Sequence, residues 1–240
     1  MGLLNDLLYP PRCAFCGKLV SKGNDFCPSC EKEVPRIPAD ACRICGVEKK
    51  LCVCRKRSFP CQRRIAPFYY EGEAKHGILR FKKYGHFGGY RTMARLVAEK
   101  AAEEYADVPF DAVVCVPPSK RMKKERGYSQ TVLLAKEIAR QLELPFEKKQ
   151  LVQLYESAPQ KGMSRVNRIG NVAGVYDVRD PDTVKGKNYL LIDDVITTGA
   201  TVNECAKMLR IFGANRVYAA AVCAGKPFSR EEQEEKKNSQ

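Results

Sequence analysis

Residues 189–201 read Tyr-Leu-Leu-Ile-Asp-Asp-Val-Ile-Thr-Thr-Gly-Ala-Thr, and few architectures can house that order. The apolar run Asn188–Ile192 is short, branched and aromatic, and turn residues bound it, so it reads as a buried strand. Asp193 and Asp194 close the strand, and Thr197, Thr198, Gly199, Ala200 and Thr201 form a turn that opens a helix. Val202, Ala206, Leu209 and Ile211 or Phe212 recur at helical spacing behind it. In open α/β sheets a turn between a strand's carboxyl end and a helix's amino end is where ligands bind. Free backbone amides and the helix dipole favour an anion there. The threonine hydroxyls add donors, and Gly199 lets backbone approach closely. Two carboxylates cannot hold that anion. They can accept hydrogen bonds from vicinal hydroxyls beside it, directly or through a hard cation. Phosphate donors next to diol acceptors predict a ribose 5-phosphate pocket.

All thirteen positions resemble the phosphoribosyl-diphosphate (PRPP) signature of type I phosphoribosyltransferases. That resemblance implies PRPP as ligand or substrate, Mg²⁺ beside it, and Asp193, Asp194, Thr197, Thr198, Gly199, Ala200 and Thr201 as the residues that hold it. A capped helix after a core strand needs neither the paired carboxylates nor the Thr-Thr-Gly order.

From Ile65 onward strand and helix patterns alternate. Ile65–Tyr70, Ala112–Val116, Asn188–Ile192 and Val217–Val222 are expected strands. Ala74–Phe81, Thr92–Tyr105, Ser129–Leu142 and the segment after Thr201 are expected helices. Such alternation predicts an α/β fold, a mostly parallel sheet flanked by helices. The loop after Ala112–Val116 carries Pro117, Pro118, Ser119, Lys120 and Arg121, and faces the same crevice as Asp193. Pyrophosphate requires cations, so Lys120 and Arg121 are the candidates to stabilise it, with Mg²⁺ bridging its oxygens. The catalytic candidates are therefore Asp193, Asp194, Lys120 and Arg121. Residues 160–172 form a second basic insertion, read either as a hood over an acceptor or as a surface helix capped by Ser164.

The cysteines constrain the other end of the chain. Nine of twelve fall within the first 61 residues, and in a reducing compartment such clustering favours metal over disulfides. Cys13, Cys16, Cys27 and Cys30 form one four-thiolate set, and Cys42, Cys45, Cys52 and Cys54 a second. Each Cys-x-x-Cys turn lets two thiolates reach one ion, with Gly17 and Gly46 relieving the backbone. Consecutive pairing gives two structural zinc sites; interleaved pairing satisfies the same spacing. Cys61 is left as a spare thiol, and Cys115, Cys205 and Cys223 sit in apolar segments as core residues.

Net charge is +14 from 42 basic and 28 acidic residues. Two four-thiolate zinc sites would leave about +10, which still argues for polyanionic partners. Lys and Arg are dense from Arg43 to Arg64, and Tyr84, Phe87, Tyr90 and Tyr128 interleave with basic residues. Those features are candidates for single-stranded nucleic acid, through phosphate tracking and base stacking. No apolar run reaches membrane-spanning length, so a cytoplasmic protein without membrane insertion is expected.

The whole pattern resembles the ComF family of competence proteins. The residues that carry this are Leu7–Cys13 and the cysteine knuckles, Leu79–Gly85, Val116-Pro117-Pro118, Arg126–Gln130, residues 160–171 and the signature. The resemblance implies an amino-terminal zinc-ribbon module (1–64), a phosphoribosyltransferase-like domain (65–228) and a charged tail (229–240). It also implies a role in DNA uptake or single-stranded DNA handling during natural transformation, alongside DNA-uptake partner proteins. Two functions fit. One is a phosphoribosyltransferase of unknown acceptor; the other is an inert nucleic-acid-binding module or regulator that keeps a phosphoribosyl pocket.

Overall fold

The computed structural model describes residues 10–52, 54, 59–84, 89–118, 127–155 and 174–226. Its centre is a five-stranded, all-parallel sheet in the order β1-β7-β6-β3. β1 (Arg64–Ile65) and β2 (Phe68–Tyr69) follow one another along the free edge of β7 (Arg216–Ala224). β6 (Asn188–Ile196) lies between β7 and β3 (Ala112–Cys115). β4 (Leu151–Gln153) and β5 (Tyr176–Val178) form a separate antiparallel pair, which periodicity did not reveal because each strand is only three residues long.

Helices cover both faces. On one side pack α2 (Gly72–Tyr84), α3 (Gly89–Glu104) and α4 (Gln130–Gln141), against Val113, Leu190, Ile192, Ala220 and Val222. On the other lies α5 (Ala200–Ile211), against Val114, Tyr189, Leu191, Ala219 and Ala221. Successive strand residues face opposite sides, and every one of these is apolar because both sides are covered.

Two expected elements differ. The strand expected over Ile65–Tyr70 is split into β1 and β2 by Ala66-Pro67. Proline has no N–H to give to the ladder, so pairing with β7 lapses there and resumes at Phe68↔Cys223. β6 runs to Ile196 rather than ending at Ile192, so both carboxylates stand within a paired strand.

The amino-terminal module packs into the larger domain through apolar side chains as well as gathering its thiols. Phe15 and Phe26 stack edge and face with Phe68 of β2, at ring separations of 5.1–5.7 Å. Cys13, Phe15, Phe26, Cys27 and Cys30 belong to the same apolar core as α2, α3 and α4. At Gly77 in α2 a methyl group would collide with Phe15, so glycine lets helix and first knuckle touch. α1 (Pro28–Glu33), a single short helix, follows Cys27 and carries Cys30. Among the described residues no helix is long and apolar enough to cross a membrane.

Candidate functional site

The parallel ladder brings β6 to its carboxyl end beside β7, and there Asp193 and Asp194 meet the Thr197–Gly199 turn. Asp194 N–H donates to Asp193 Oδ1 at 2.8 Å. Gly199 takes φ +78° and caps α5. The Thr198 hydroxyl accepts from Ala200 N–H at 3.2 Å, which closes the turn, and Asn203 N–H donates to Gly199 O at 2.9 Å as the first helical bond. Amides of the first helical turn have no partner within the helix. The far wall is the end of β7, where Gly225 N–H donates to Ile196 O at 2.8 Å. A Cβ at Gly225 would come within 3.0 Å of Thr197 Cα. The structure thus gathers Asp193, Asp194, Thr197, Thr198, Gly199, Ala200 and Thr201 within one strand-turn-helix corner. Lys120 and Arg121 lie outside the described residues, as do residues 160–172, Phe87 and the basic Arg55–Arg57.

The electrostatics of the corner are set by burial. Desolvation first, and the adjacent Asp194 charge second, push Asp193 up to about 8, against the pull of the Asp194 amide and Lys82. Asp194 has its own partner, since Lys82 Nζ lies 2.7 Å from its Oδ2. Burial works against the charge on Lys82, but Asp194 prevails and holds the amine above its ordinary value. The same surroundings raise Tyr70, mainly through burial. These groups can accept hydrogen bonds from a diol, hold a hard cation between carboxylates, and set an anion on the amides of the turn.

Lys82 was not legible as a site residue. It sits in the basic end of α2 beside Lys83, a pattern that ordinarily marks a solvated face. Its placement depends on Tyr128 and Gln130. The Tyr128 hydroxyl donates to Phe81 O at 3.0 Å and Lys82 O at 3.1 Å, and Gln130 Nε2 donates to Lys82 O at 3.3 Å. Those carbonyls belong to the last turn of α2, which has no helical donors left. Tyr128 is therefore engaged as a helix clamp, and Tyr90 stacks on Phe81 with planes 4° apart. Of the four aromatics considered for base stacking, Tyr84 is 65% exposed, with Lys83 Nζ 5.0 Å from its ring centre.

The thiols gather consecutively. Cys13, Cys16, Cys27 and Cys30 place their sulfurs within 4.8 Å of one another, and so do Cys42, Cys45, Cys52 and Cys54. A tetrahedron with Zn–S bonds of about 2.3 Å has edges of about 3.8 Å. Cys16–Cys27 at 3.5 Å and Cys45–Cys52 at 3.7 Å match it. Ile44 N–H and Cys54 N–H donate to the sulfurs of Cys42 and Cys52, which steadies thiolate charge. Both sets fit structural zinc; four protein sulfurs leave no open position. Cys61, Cys115, Cys205 and Cys223 are buried away from these clusters.

Comparison with known proteins agrees with this geometry. A family model described as the phosphoribosyl transferase domain matches residues 90–239, more than half of the chain, and one described as the double zinc ribbon domain matches residues 4–64. Competence protein F of Haemophilus influenzae is 28% identical over 216 residues, 86% of this chain and 93% of that protein. The DNA utilization protein YhgH of Escherichia coli K12 is 25% identical over 215 residues, 88% and 89% of the two chains. Competence protein ComFC of Bacillus subtilis is 26% identical over 201 residues, 80% of each. The chain belongs to the phosphoribosyl transferase domain family, in the ComF-type arrangement that sets a double zinc ribbon before that domain.

Proposed function

We propose that the protein binds PRPP, or another ribose 5-phosphate ligand, with Mg²⁺ at the β6–α5 corner, and acts in the handling of incoming DNA. The observation that carries this reading is the corner itself, where paired carboxylates adjoin a Thr-Thr-Gly turn that opens the amino terminus of α5. Asp193 and Asp194 accept hydrogen bonds from the ribose hydroxyls, and residues 197–201 hold the 5-phosphate. Mg²⁺ would be held by the carboxylates and the phosphate oxygens, and would neutralise charge on the pyrophosphate. Lys120 and Arg121 are assigned to that leaving group. In a transfer reaction, departure of pyrophosphate from C1 leaves an oxocarbenium-like centre, and these cations act where charge develops. No covalent nucleophile is required.

Relatives named for competence and for DNA utilization support the cellular role. A basic chain and the exposed Tyr84–Lys83 pair favour a second reading, single-stranded nucleic acid binding, which is compatible with the first. Calorimetric titration of the zinc-loaded protein with PRPP and Mg²⁺, with and without single-stranded DNA, tests both. Binding lost in Asp193→Asn/Asp194→Asn at unchanged zinc content supports the pocket. Salt-sensitive DNA binding without any PRPP binding leaves only the nucleic-acid reading.

A further inference from the structure

Arg64 joins the second zinc knuckle to the Thr197–Gly199 turn. Its backbone belongs to the knuckle side as much as to the sheet. Arg64 N–H donates to Ile44 O at 3.1 Å, while Arg64 pairs with Ala219 of β7. Gly46, at φ +73°, lies flat against Arg64 O, where any Cβ would strike the carbonyl. The knuckle Cys42–Gly46 therefore bonds this residue's N–H and packs closely against its C=O.

The side chain belongs to the turn. Arg64 is 5% exposed, its guanidinium carbon lies 5.2 Å from the Phe59 ring centre, and Nη1 donates to Thr198 O at 3.4 Å. A methyl group at Gly199 would overlap Nη1, so glycine there serves the packing of Arg64 as well as the backbone angle. Nε is buried without a hydrogen-bond partner among the described residues. Among those residues no carboxylate pairs with Arg64 within 4.0 Å. A buried guanidinium without an anion is unfavourable, and removing water from around it strengthens its field.

We propose that Arg64 is a positioning residue for the 5-phosphate of the ligand, seated behind the turn and set in place by the second zinc knuckle. This rests on the turn being the phosphate site. Arg64 braces Thr198–Gly199 in the conformation that presents its amides, and its charge adds to that of the α5 amino terminus. The ligand class it serves is a phosphomonoester, whose dianion supplies the missing counter-charge across the turn.

The test compares zinc-loaded wild type, Arg64→Met, Arg64→Lys and Gly46→Ala, each checked for zinc content. Calorimetry is run with ribose 5-phosphate and, separately, with magnesium pyrophosphate. Amide hydrogen exchange is followed over residues 195–203 without ligand. Arg64→Met and Gly46→Ala are expected to speed exchange in that segment and to weaken ribose 5-phosphate at least tenfold. Pyrophosphate affinity should change less than twofold, and Arg64→Lys should fall between Arg64→Met and wild type. Exchange and ribose 5-phosphate affinity both unchanged in Arg64→Met would overturn the assignment, as would equal loss of the two probes. Should Arg64→Met not fold, Arg64→Lys and Gly46→Ala decide by the same readouts. If wild type binds neither probe, the phosphoribosyl reading fails, and exchange in residues 195–203 alone decides whether Arg64 braces the turn.

Discussion

Lys82 Nζ sits 2.7 Å from Asp194 Oδ2 and ties the last turn of α2 to the strand that carries both carboxylates. The two side chains are 26% and 13% exposed, so their attraction is only partly screened. Lys82 offsets part of the repulsion between the two adjacent acids, which adds to the desolvation raising Asp193 and would grow without the lysine.

Lys82→Met should therefore strand Asp194 and cost about 2–3 kcal/mol, a Tm fall of about 5–10 °C. Adding Asp194→Asn should recover much of that loss. Thermal melts of the two single variants and the double variant measure the coupling; effects that simply add would show that the pair contributes nothing.

Tyr128→Phe removes the hydroxyl that bonds Phe81 O and Lys82 O. Loss of about 1 kcal/mol is expected. The variant should also bind PRPP with Mg²⁺ more weakly, because the end of α2 no longer holds Lys82 against Asp194. Calorimetry checks this: unchanged affinity would mean that the clamp serves stability only.

The raised pKa of Asp193 fixes the sign of a pH effect. Between the ordinary carboxylate value of about 4 and the folded value of about 8, the folded chain holds a proton that the unfolded chain has lost. Stability must then fall as pH rises through that window and level off above it. Asp193→Asn cannot ionise and should lose this slope. Melts at pH 5, 6, 7 and 8.5 should show the ligand-free wild type losing about 5 °C or more relative to the variant. Parallel curves would place the Asp193 pKa in the ordinary range.

Metal analysis should return two zinc ions per chain, and Cys16→Ser or Cys42→Ser should each lose one. The consequences differ. The first cluster shares its core with α2, α3 and α4 through Phe15 and Phe26, so its loss should lower the Tm of the whole chain. Among the described residues the second packs on the small apolar group of Ile37, Val47, Ala66, Tyr69 and Ala224 and on the Arg64 backbone. Its loss should cost less in Tm, and an equal fall would contradict this division.

The β6 strand, the turn and α5 were legible because each depends on short-range order. Apolar runs, a Gly at positive φ and helical spacing are local facts, as is the Cys-x-x-Cys turn. The proline break between β1 and β2 was equally present in the residues, but the apolar run around it read as one strand. β4 and β5 were too short to leave a period.

By itself the sequence determined the fold class, the clustering of the cysteines and the strand-turn-helix corner after β6, since these follow from local geometry and the alternation of buried and exposed positions. Only the tertiary structure decided that Lys82 neutralises Asp194, that Tyr128 and Gln130 clamp the helix that carries it, and that Arg64 backs the turn. Arg64 and Thr198 stand 134 residues apart. A lysine or arginine in a basic stretch looks the same whether water or a carboxylate faces it. Its partner is chosen by how sheet, helices and knuckles pack, and burial then turns that choice into energy.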